Sequence, residues 1–551
     1  MSPLAKALSV AILMGTAGQS AAVTGPAVDR ALAAIRQNPA PTRLSASDAF
    51  KARGVTVDRH GVEHVRLDRT YKGLPVIGGD LVVHSRAGVF KSASLTQAKP
   101  ITIGTTPTVS SDAAITAAGV KFGTKFDAVP TARLVVYARR AAPKLAYDVL
   151  YVGKAKDGTP TRMHYYVDAL TSAILDKEDA VHTGTLPGTG AVTGTTPPPP
   201  NITPTTGTGR SLIAGVVPLN TQFNATRRLY ELKDPTRGNT SITDIGNGYR
   251  GNGTLVVDGD NKWGNGATSD RVSTAVDAAY GFAKTWDFYK DNFNRLGIAG
   301  DGRGAFGAVH YALNYSNAFW NDDCFCMAFG DGDGVTMRPL VALDVMGHEV
   351  SHGVTHATAG LIYSSESGGL NEATSDILGT MVEFYANNPQ QPPNYLIGEQ
   401  LFIKPGSALR AMFKPNLDGI SPDCYPSATT PSNGITLGNF KAMDVHYSSG
   451  VANHFFYLLA EGAVVPAGFE AGTLANLGPS DLVCNGTTAL VGIGRAKAQL
   501  IWYTALTEYM TSSTDYPGAR VATMNAAADL YGPGSAEQNA VAAAWDAVYM
   551  P

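Results

Sequence analysis

Two kinds of hydrophobic spacing divide the chain. In the first 180 or so residues, Val55–Asp58 and His64–Leu67 alternate apolar and polar positions, the period of a half-buried strand. Leu81–His84, Leu134–Tyr137, Tyr147–Tyr151 and His164–Asp168 continue that pattern, with helical spacing around 111–119. Residues 183–210 break it: Gly, Thr and four consecutive prolines, Pro197–Pro200, cannot bury a core and read as an exposed linker. From about 205 to 320 short strand-like runs return, punctuated by Asn247-Gly248 and Asn252-Gly253 turns, with a helix through 275–292. Apolar positions three and four apart then predict helices over 341–357, 370–386, 449–462, 492–512 and 517–530. The pattern predicts an α+β protein: an α+β block, a linker, a β-rich stretch and a helical end.

Composition narrows the class. At 551 residues and 44% hydrophobic, the chain can form two to four domains with sizeable cores. A net charge of −3 and pI near 6.4 offer no basic stripe for nucleic acid or an anionic membrane. Lys6, the apolar run Ala7–Met14 and the small residues Ser20-Ala21-Ala22 read as a secretory leader over 1–22, and no later run is long enough to span a membrane. The protein is therefore expected to be secreted and soluble. An exposed linker is a preferred site of proteolytic nicking, and the 183–210 stretch is read as the boundary of a cleaved pro-segment. Cys324, Cys326, Cys424 and Cys484 permit three pairings in an oxidising compartment. Cys424 with Cys484 is a plausible bridge; Cys324 and Cys326 read either as a tight ring or as a Cys-x-Cys metal pair.

The chemistry concentrates at His348-Glu349-Val350-Ser351-His352. Two imidazoles four residues apart share one helical face and can bind one zinc ion, which still needs a third protein ligand and an open position for water. Glu349 lies beside them, placed to take a proton from that water. By chance the five-residue pattern is expected roughly 0.005 times in a chain of this composition, so it is uncommon without being decisive. The bland alternative is a helix with two unrelated histidines. It weakens on the next predicted helix, where Glu372 and Asp376 repeat the four-residue spacing. Glu372 can reach the metal, and Asp376 can accept a hydrogen bond from a ligand imidazole and fix its orientation.

With these motifs the chain resembles the thermolysin family of secreted zinc endopeptidases, over nearly all of residues 207–551. The resemblance rests also on Asn317–Trp320, Gly330–Gly334, Gly360–Tyr363, Asp444–Gly450, Asp529–Gly532 and Ala544–Val548, in the family's order. The 444–450 segment is closer to the elastase-like members. Tyr71–Gly79 and Tyr147–Leu175 look like the family's propeptide modules. The resemblance implies a leader over 1–22, a propeptide of α+β modules over 23–185, a linker over 186–206, a β-rich lobe over 207–357 ending in the zinc helix, and a helical lobe over 358–551, with zinc in the cleft between the lobes. It implies a zymogen whose propeptide assists folding and blocks the cleft, and a monomer acting on protein and peptide substrates.

Roles follow residue by residue. His348, His352 and Glu372 match the zinc ligands, and Glu349 the base that activates zinc-bound water and passes its proton to the leaving amine. Tyr363 and His446 match the oxyanion donors, with Asp444 orienting His446; Asn371 and Asp376 match the hydrogen-bond partners of the two ligand histidines. Asn317 and the Ala318 carbonyl match groups that hold the substrate backbone as an added strand, and Arg410 matches the arginine that binds a substrate carbonyl. Met337, Leu340, Val345, Ile397 and Leu409 match an apolar pocket, implying cleavage on the amino side of bulky hydrophobic residues. Taken singly, Tyr363 reads as a packed aromatic, His446 as a loop histidine and the five apolar residues as core. Asp344, Glu383 and the Leu396 carbonyl match one calcium site, while Thr380 and Asn394 stand where acidic ligands are usual and should weaken it. The rival function, peptide binding on a decayed protease scaffold, conflicts with a complete set of base, ligands and oxyanion donors. A fungalysin-type zincin conflicts with the ligand spacing.

Overall fold

The strand-like runs of the first block do pair, and they form one sheet. The computed structural model of the chain describes residues 23–139, 142–154, 160–181, 201–249, 251–322, 324–427 and 431–550. The expected leader and most of the Pro/Gly/Thr-rich linker, with its four prolines, lie outside the described residues. Nine strands run in the order Val89–Leu95, Leu81–Arg86, Val62–Tyr71, Leu74–Ile77, Thr131–Tyr137, Lys144–Lys154, Pro160–Asp168 and Ile174–Asp179, with Asp48–Val57 beside Val62–Tyr71. The two halves join where Val76 pairs in parallel with Val136. Each half keeps its own core. Helix α1 (Pro26–Gln37) buries Val28, Ala31, Ala34 and Ile35 against Val65, Leu67, Leu81 and Val83. Helix α2 (Ser111–Phe122) puts Ala114 and Ala118 against Leu145, Val149 and Tyr165. Ser110 caps α2 by accepting from Ala113 N, and Gly123 ends it in the left-handed conformation.

The next stretch is β-rich, as its turn signals imply. A five-stranded sheet contains Ile202–Arg210 and Val216–Asn224, and a six-stranded sheet has Ala318–Asn321 at the end of its strand order. The first of these strands starts at Ile202, paired with Asn224, inside the stretch expected to be linker. Helix α3 (Arg271–Phe293) lies against both sheets and is capped at Asp270, whose side chain accepts from Val272 N. Beyond it come α4 (Leu343–Ala357), α5 (Ser365–Ala386), α6 (Leu437–Ala442), α7 (Val445–Ser448), α8 (Gly450–Glu461), α9 (Arg495–Thr504), α10 (Tyr516–Tyr531) and α11 (Ala536–Ala547). The helix predicted over 492–512 is α9 followed by a wider turn at Ala505–Tyr509. One continuous apolar core runs from Ile213 to Met550, so the β-rich and helical portions share their interior. The cysteines pair as Cys324–Cys326 and Cys424–Cys484, which sets aside the Cys-x-Cys metal reading.

Helices α4 and α5 are unusual in being buried all round: residues 343–355 and 365–383 are each buried without interruption. Their polar residues therefore meet protein rather than water, and each needs a partner. The two helices touch at glycines. A Cβ on Gly379 would lie 2.5 Å from Asp344 O and 2.7 Å from His348 N, and one on Gly347 would lie 2.8 Å from Gly379 Cα. Ordinary side chains would hold the backbones further apart.

The first block packs onto the helical end through polar contacts. Arg66 donates to Met510 O at 2.7 Å and Thr507 O at 3.2 Å. Asp80 accepts from Ser512 N at 2.9 Å and from its hydroxyl at 2.5 Å. Arg139 reaches Ser367 Oγ at 3.0 Å while paired with Asp176 at 2.6 Å. Gly78, at φ 75°, sits where a Cβ would be 2.7 Å from Ser513 Oγ. Isolated helix propensity favours alanine over glycine by about 1 kcal/mol. Gly379→Ala is nevertheless expected to destabilise the chain by about 1–3 kcal/mol through overpacking; a thermal or denaturant midpoint that rises would refute the contact.

Candidate active site

The α4–α5 contact sets the geometry of the site. His348 and His352, one turn apart, bring their Nε2 atoms to 3.1 Å, and Glu372 of α5 lies 3.5 Å from the first and 3.3 Å from the second. Asp376 Oδ1 meets His348 Nδ1 at 2.8 Å and Asn371 Oδ1 meets His352 Nδ1 at 2.7 Å. Both acceptors call for a proton on Nδ1, which turns the two Nε2 atoms toward each other and toward Glu372, the pose in which they can share one cation. Glu372 Oε2 is buried without a hydrogen-bond partner. The three residues can together hold a metal ion, and two imidazole nitrogens with one carboxylate oxygen are a zinc donor set. Burial opposes ionisation of Glu372, but His446, His348 and His352 hold its carboxyl well below the usual range. It is an anionic donor.

Asp376 is clamped from three sides. Arg410 donates from Nε at 2.8 Å and Nη2 at 2.6 Å, and Asn453 from Nδ2 at 2.7 Å. Two of the three guanidinium nitrogens of Arg410 are thus committed to Asp376. Asn453 is a contributor that sequence reading missed. Its only signal is its place in the first turn of α8, directly after the 444–450 segment.

Glu349, on α4 beside the histidines, accepts from Trp320 N through Oε2 at 3.1 Å. Burial pushes its carboxyl up to about 8. Trp320 belongs to the terminal strand Ala318–Asn321, so that strand and Glu349 share a hydrogen bond. Across the histidines, Tyr363 OH donates to Glu372 Oε1 and lies 3.3 Å from His446 Nε2. Asp444 Oδ1 meets His446 Nδ1 at 2.7 Å and also accepts its backbone N–H at 3.0 Å, capping α7. Burial would lower His446, but Glu372 and Asp444 prevail and its pKa is raised. Asn317 adjoins the terminal strand, with its side-chain oxygen 2.9 Å from Ala318 N.

The apolar set is less concentrated. Leu340, Val345 and Ile397 are buried in the main core, Met337 is half-buried and Leu409 is 36% exposed. Ile397 pairs with Arg410, and Leu409 N donates to Ile397 O at 2.8 Å. These backbone contacts place Ile397 and Leu409 beside Arg410, the residue that clamps Asp376.

Behind the zinc helix lies a second carboxylate group. Asp344 accepts from Val345 N at 2.8 Å and Gly398 N at 2.5 Å. Glu383 Oε1 and Glu399 Oε2 are buried without hydrogen-bond partners. Glu399 is a third carboxylate that the sequence reading did not single out; an acidic residue three positions beyond Leu396 was the available signal. Thr380 turns to Met412 Sδ at 3.3 Å, and Asn394 donates to Glu399 at 2.9 Å. Burial and neighbouring carboxylates push Asp344 up to about 7 and Glu383 well above its usual range.

The first block approaches this site. A cavity of about 290 Å³ is lined from one side by Arg162, His164 and Glu178 and from the other by Tyr363, Asn371 and His356.

Comparison with known proteins agrees with this geometry. Residues 206–356 match the thermolysin metallopeptidase catalytic domain and residues 359–550 its alpha-helical domain; residues 48–96 match the fungalysin/thermolysin propeptide motif. A transglutaminase-activating metalloprotease of Streptomyces mobaraensis is 42% identical over 92% of this chain, which spans 61% of that relative's length. A bacillolysin of Bacillus cereus is 36% identical over 92% of the chain and 85% of the relative. A thermolysin of Alicyclobacillus acidocaldarius is 35% identical over 90% of the chain and 85% of the relative.

Replacing Asp376 by alanine removes the partner of His348 and leaves the Arg410 guanidinium uncompensated. Zinc affinity, read by competition with a chromophoric chelator, is expected to fall by about 10–100-fold. An unchanged affinity in a folded variant would exclude the orienting role.

Proposed function

The chain belongs to the thermolysin family of zinc metalloendopeptidases and carries its propeptide motif, and from that premise we propose a secreted zymogen that cuts on the amino side of bulky hydrophobic residues. The observation that carries this reading is the convergence on one cleft of three metal-ligand side chains, a buried carboxylate and two hydrogen-bond donors. We assign residues 23–185 to the propeptide, the cut to the 186–206 stretch, and residues 207–357 and 358–551 to the catalytic lobes. The polar junction supports a pro-region that docks firmly and is still able to leave.

A zinc ion on His348, His352 and Glu372 supplies a Lewis acid that acidifies water and polarises a peptide carbonyl. Glu349 is the base: Oε2 is held by Trp320 N–H, and Oε1 takes the proton from water. Burial disfavours the charged form of Glu349, which favours passing the proton it has taken on to the departing amine. His446, whose protonated form Glu372 and Asp444 favour and whose ring Asp444 orients, donates from Nε2 to the developing oxyanion, together with Tyr363 OH. The substrate backbone extends the sheet beside Ala318 and Asn317, a mode favoured by the terminal position of that strand. Arg410 binds a substrate carbonyl while orienting Asp376. Met337, Leu340, Val345, Ile397 and Leu409 receive the side chain after the cut, where burial of a Leu or Phe is worth about 1.5–3 kcal/mol.

Glu349→Gln is expected to lower kcat/KM on a peptide library by about 10²–10⁴-fold with zinc content unchanged. Substantial retained cleavage would contradict the assignment of the base and favour a scaffold in which Glu349 has no chemical part. N-terminal sequencing of the active protein locates the cut within or outside 186–206.

We also propose one structural calcium ion on Asp344, Glu383, Glu399 and the Leu396 carbonyl. Buried oxygens without partners on two of these carboxylates fit a hard cation. The raised pKa values give a signed prediction. Without calcium the folded chain holds protons that the unfolded chain releases, so stability is present below about pH 4 and is lost as pH rises toward about 7. Calcium should abolish that loss by favouring the ionised carboxylates. Thermal midpoints across this range, with calcium and with chelator, check it; identical profiles would argue against the site.

A further inference from the structure

A second cluster of ligand-bearing side chains lies away from the catalytic cleft, where the first block meets the C-terminal helices. One ligand atom each from Asp58, His64 and Asp529 lie within 4.8 Å of one another. Asp58 and His64 belong to the first block, and Asp529 to α10. Glu508 joins from the turn after α9, its Oε2 3.4 Å from His64 Nε2; Asp58 Oδ2 is 3.8 Å from the same nitrogen. The side chains of His64 and Asp58 are 1% and 9% exposed, and neither His64 Nε2 nor Asp58 Oδ2 has a hydrogen-bond partner. Two donors of nearly buried side chains are thus aimed at one point and left unpaired.

The surroundings hold them in that pose. Asp58 Oδ1 accepts the backbone N–H groups of His60 and Val62, each at 2.8 Å, which turns Oδ2 inward. His64 Nδ1 meets His84 Nδ1 at 2.8 Å, and His84 Nε2 meets Ser94 Oγ at 2.9 Å. The His64–His84–Ser94 chain has two tautomer settings; in the one where His84 donates to Ser94, His64 carries its proton on Nδ1 and presents to the carboxylates the Nε2 lone pair that a metal ion needs. Tyr509 OH donates to Asp529 Oδ2. Among the described residues no lysine or arginine forms an ion pair with the carboxylates of Asp58, Glu508 or Asp529; the nearby Arg59 and Arg66 donate instead to the backbone carbonyls of Asp529, Thr507 and Met510. Ligand atoms on a tetrahedral zinc ion lie about 3.4 Å apart, close to the 3.4 and 3.8 Å that separate His64 Nε2 from Glu508 and Asp58. Two clefts of about 790 and 830 Å³ run along this junction, each lined by Asp58 and Asp529, and give an ion a way in.

We infer that this junction binds a divalent transition-metal ion of the zinc type on Asp58, His64 and Asp529, with Glu508 as the fourth donor. One imidazole with carboxylates suits that class better than calcium, which prefers oxygen throughout. The inference rests on the reading of the first block as a pro-region that is cut from the enzyme. The ion would bridge both sides of that cut and hold the severed pro-region in place. At a free-metal concentration 100 times its Kd, the pro-region is retained about 100-fold more tightly.

The test uses the full-length chain carrying Glu349→Gln, which stays uncut, equilibrated with micromolar zinc and desalted before metal analysis. Two zinc equivalents per chain are expected, falling to one on adding His64→Ala and likewise to one on adding His348→Ala. Asp529→Asn, of nearly equal volume, replaces His64→Ala should the latter fail to fold, and should also give one. A single equivalent in the parent overturns the site, as does a second equivalent that survives both junction variants, which would be an adventitious ion only. Release of a cleaved pro-region that depends on pH, with no second equivalent, overturns it in favour of a protonated His64 paired with Glu508. Failure of the pro-region reading shows separately, as absence of cleavage in the chain with Glu349 intact, and leaves the metal count untouched.

Discussion

Everything at the catalytic centre depends on how closely α4 and α5 approach at Gly347 and Gly379. A Cβ on either glycine would collide with the opposite backbone. The contact lets a carboxylate on one helix reach two imidazoles on the other, and it buries both helices on all sides. Burial then imposes its own condition. Each polar side chain on these helices must find a partner or a cation, because an unpaired buried group costs about 1–3 kcal/mol and a buried charge considerably more. The Asp376–His348, Asn371–His352 and Glu349–Trp320 contacts meet that condition and also aim the reactive groups. Positioning and stability are here the same set of hydrogen bonds.

The helix pair and its chemistry were legible because they are local. Four-residue spacing places His348 with His352 and Glu372 with Asp376 on shared faces, and nothing distant is needed to see it. The strand-rich and helical stretches were legible for a similar reason, since they follow the period of apolar positions. What the sequence concealed is what packing decides. Asn453 reaches Asp376 from a helix 77 positions away. Glu399 joins Asp344 and Glu383 only because a loop folds back beneath α4. The continuous nine-stranded sheet depends on the parallel pairing of Val76 with Val136, which no local period encodes. Helix α1 has its apolar stripe at Val28, Ala31 and Ile35, but three small or branched positions are a faint signal in an alanine-rich stretch.

The junction of the first block with the rest follows a different logic from either core. Arg66, Asp80 and Arg139 are largely buried, yet their partners across the junction are backbone carbonyls, backbone N–H groups and serine hydroxyls. Hydrogen bonds of this kind give registry at modest net energy. An apolar junction of similar extent would be harder to open. Gly78 against Ser513 shows the fit is close as well as polar, since a Cβ there would lie 2.7 Å from the Ser513 hydroxyl.

Among the described residues carboxylates gather three times: buried at Glu372 with Glu349, buried or half-buried at Asp344 with Glu383 and Glu399, and half-buried at Asp58 with Glu508 and Asp529. A fold selected for stability alone would replace such groups with apolar residues at little cost. Their mutual repulsion is a cost that a proton or a metal ion supplied from outside would offset. For the first group the donor set is that of zinc. For the other two the same electrostatic argument applies, and the difference in donor chemistry, all oxygen in one and an imidazole in the other, separates the ions each would accept. Coupling of folding to an external cation suits a protease made as an inactive chain, because the finished site and the finished fold then arrive together.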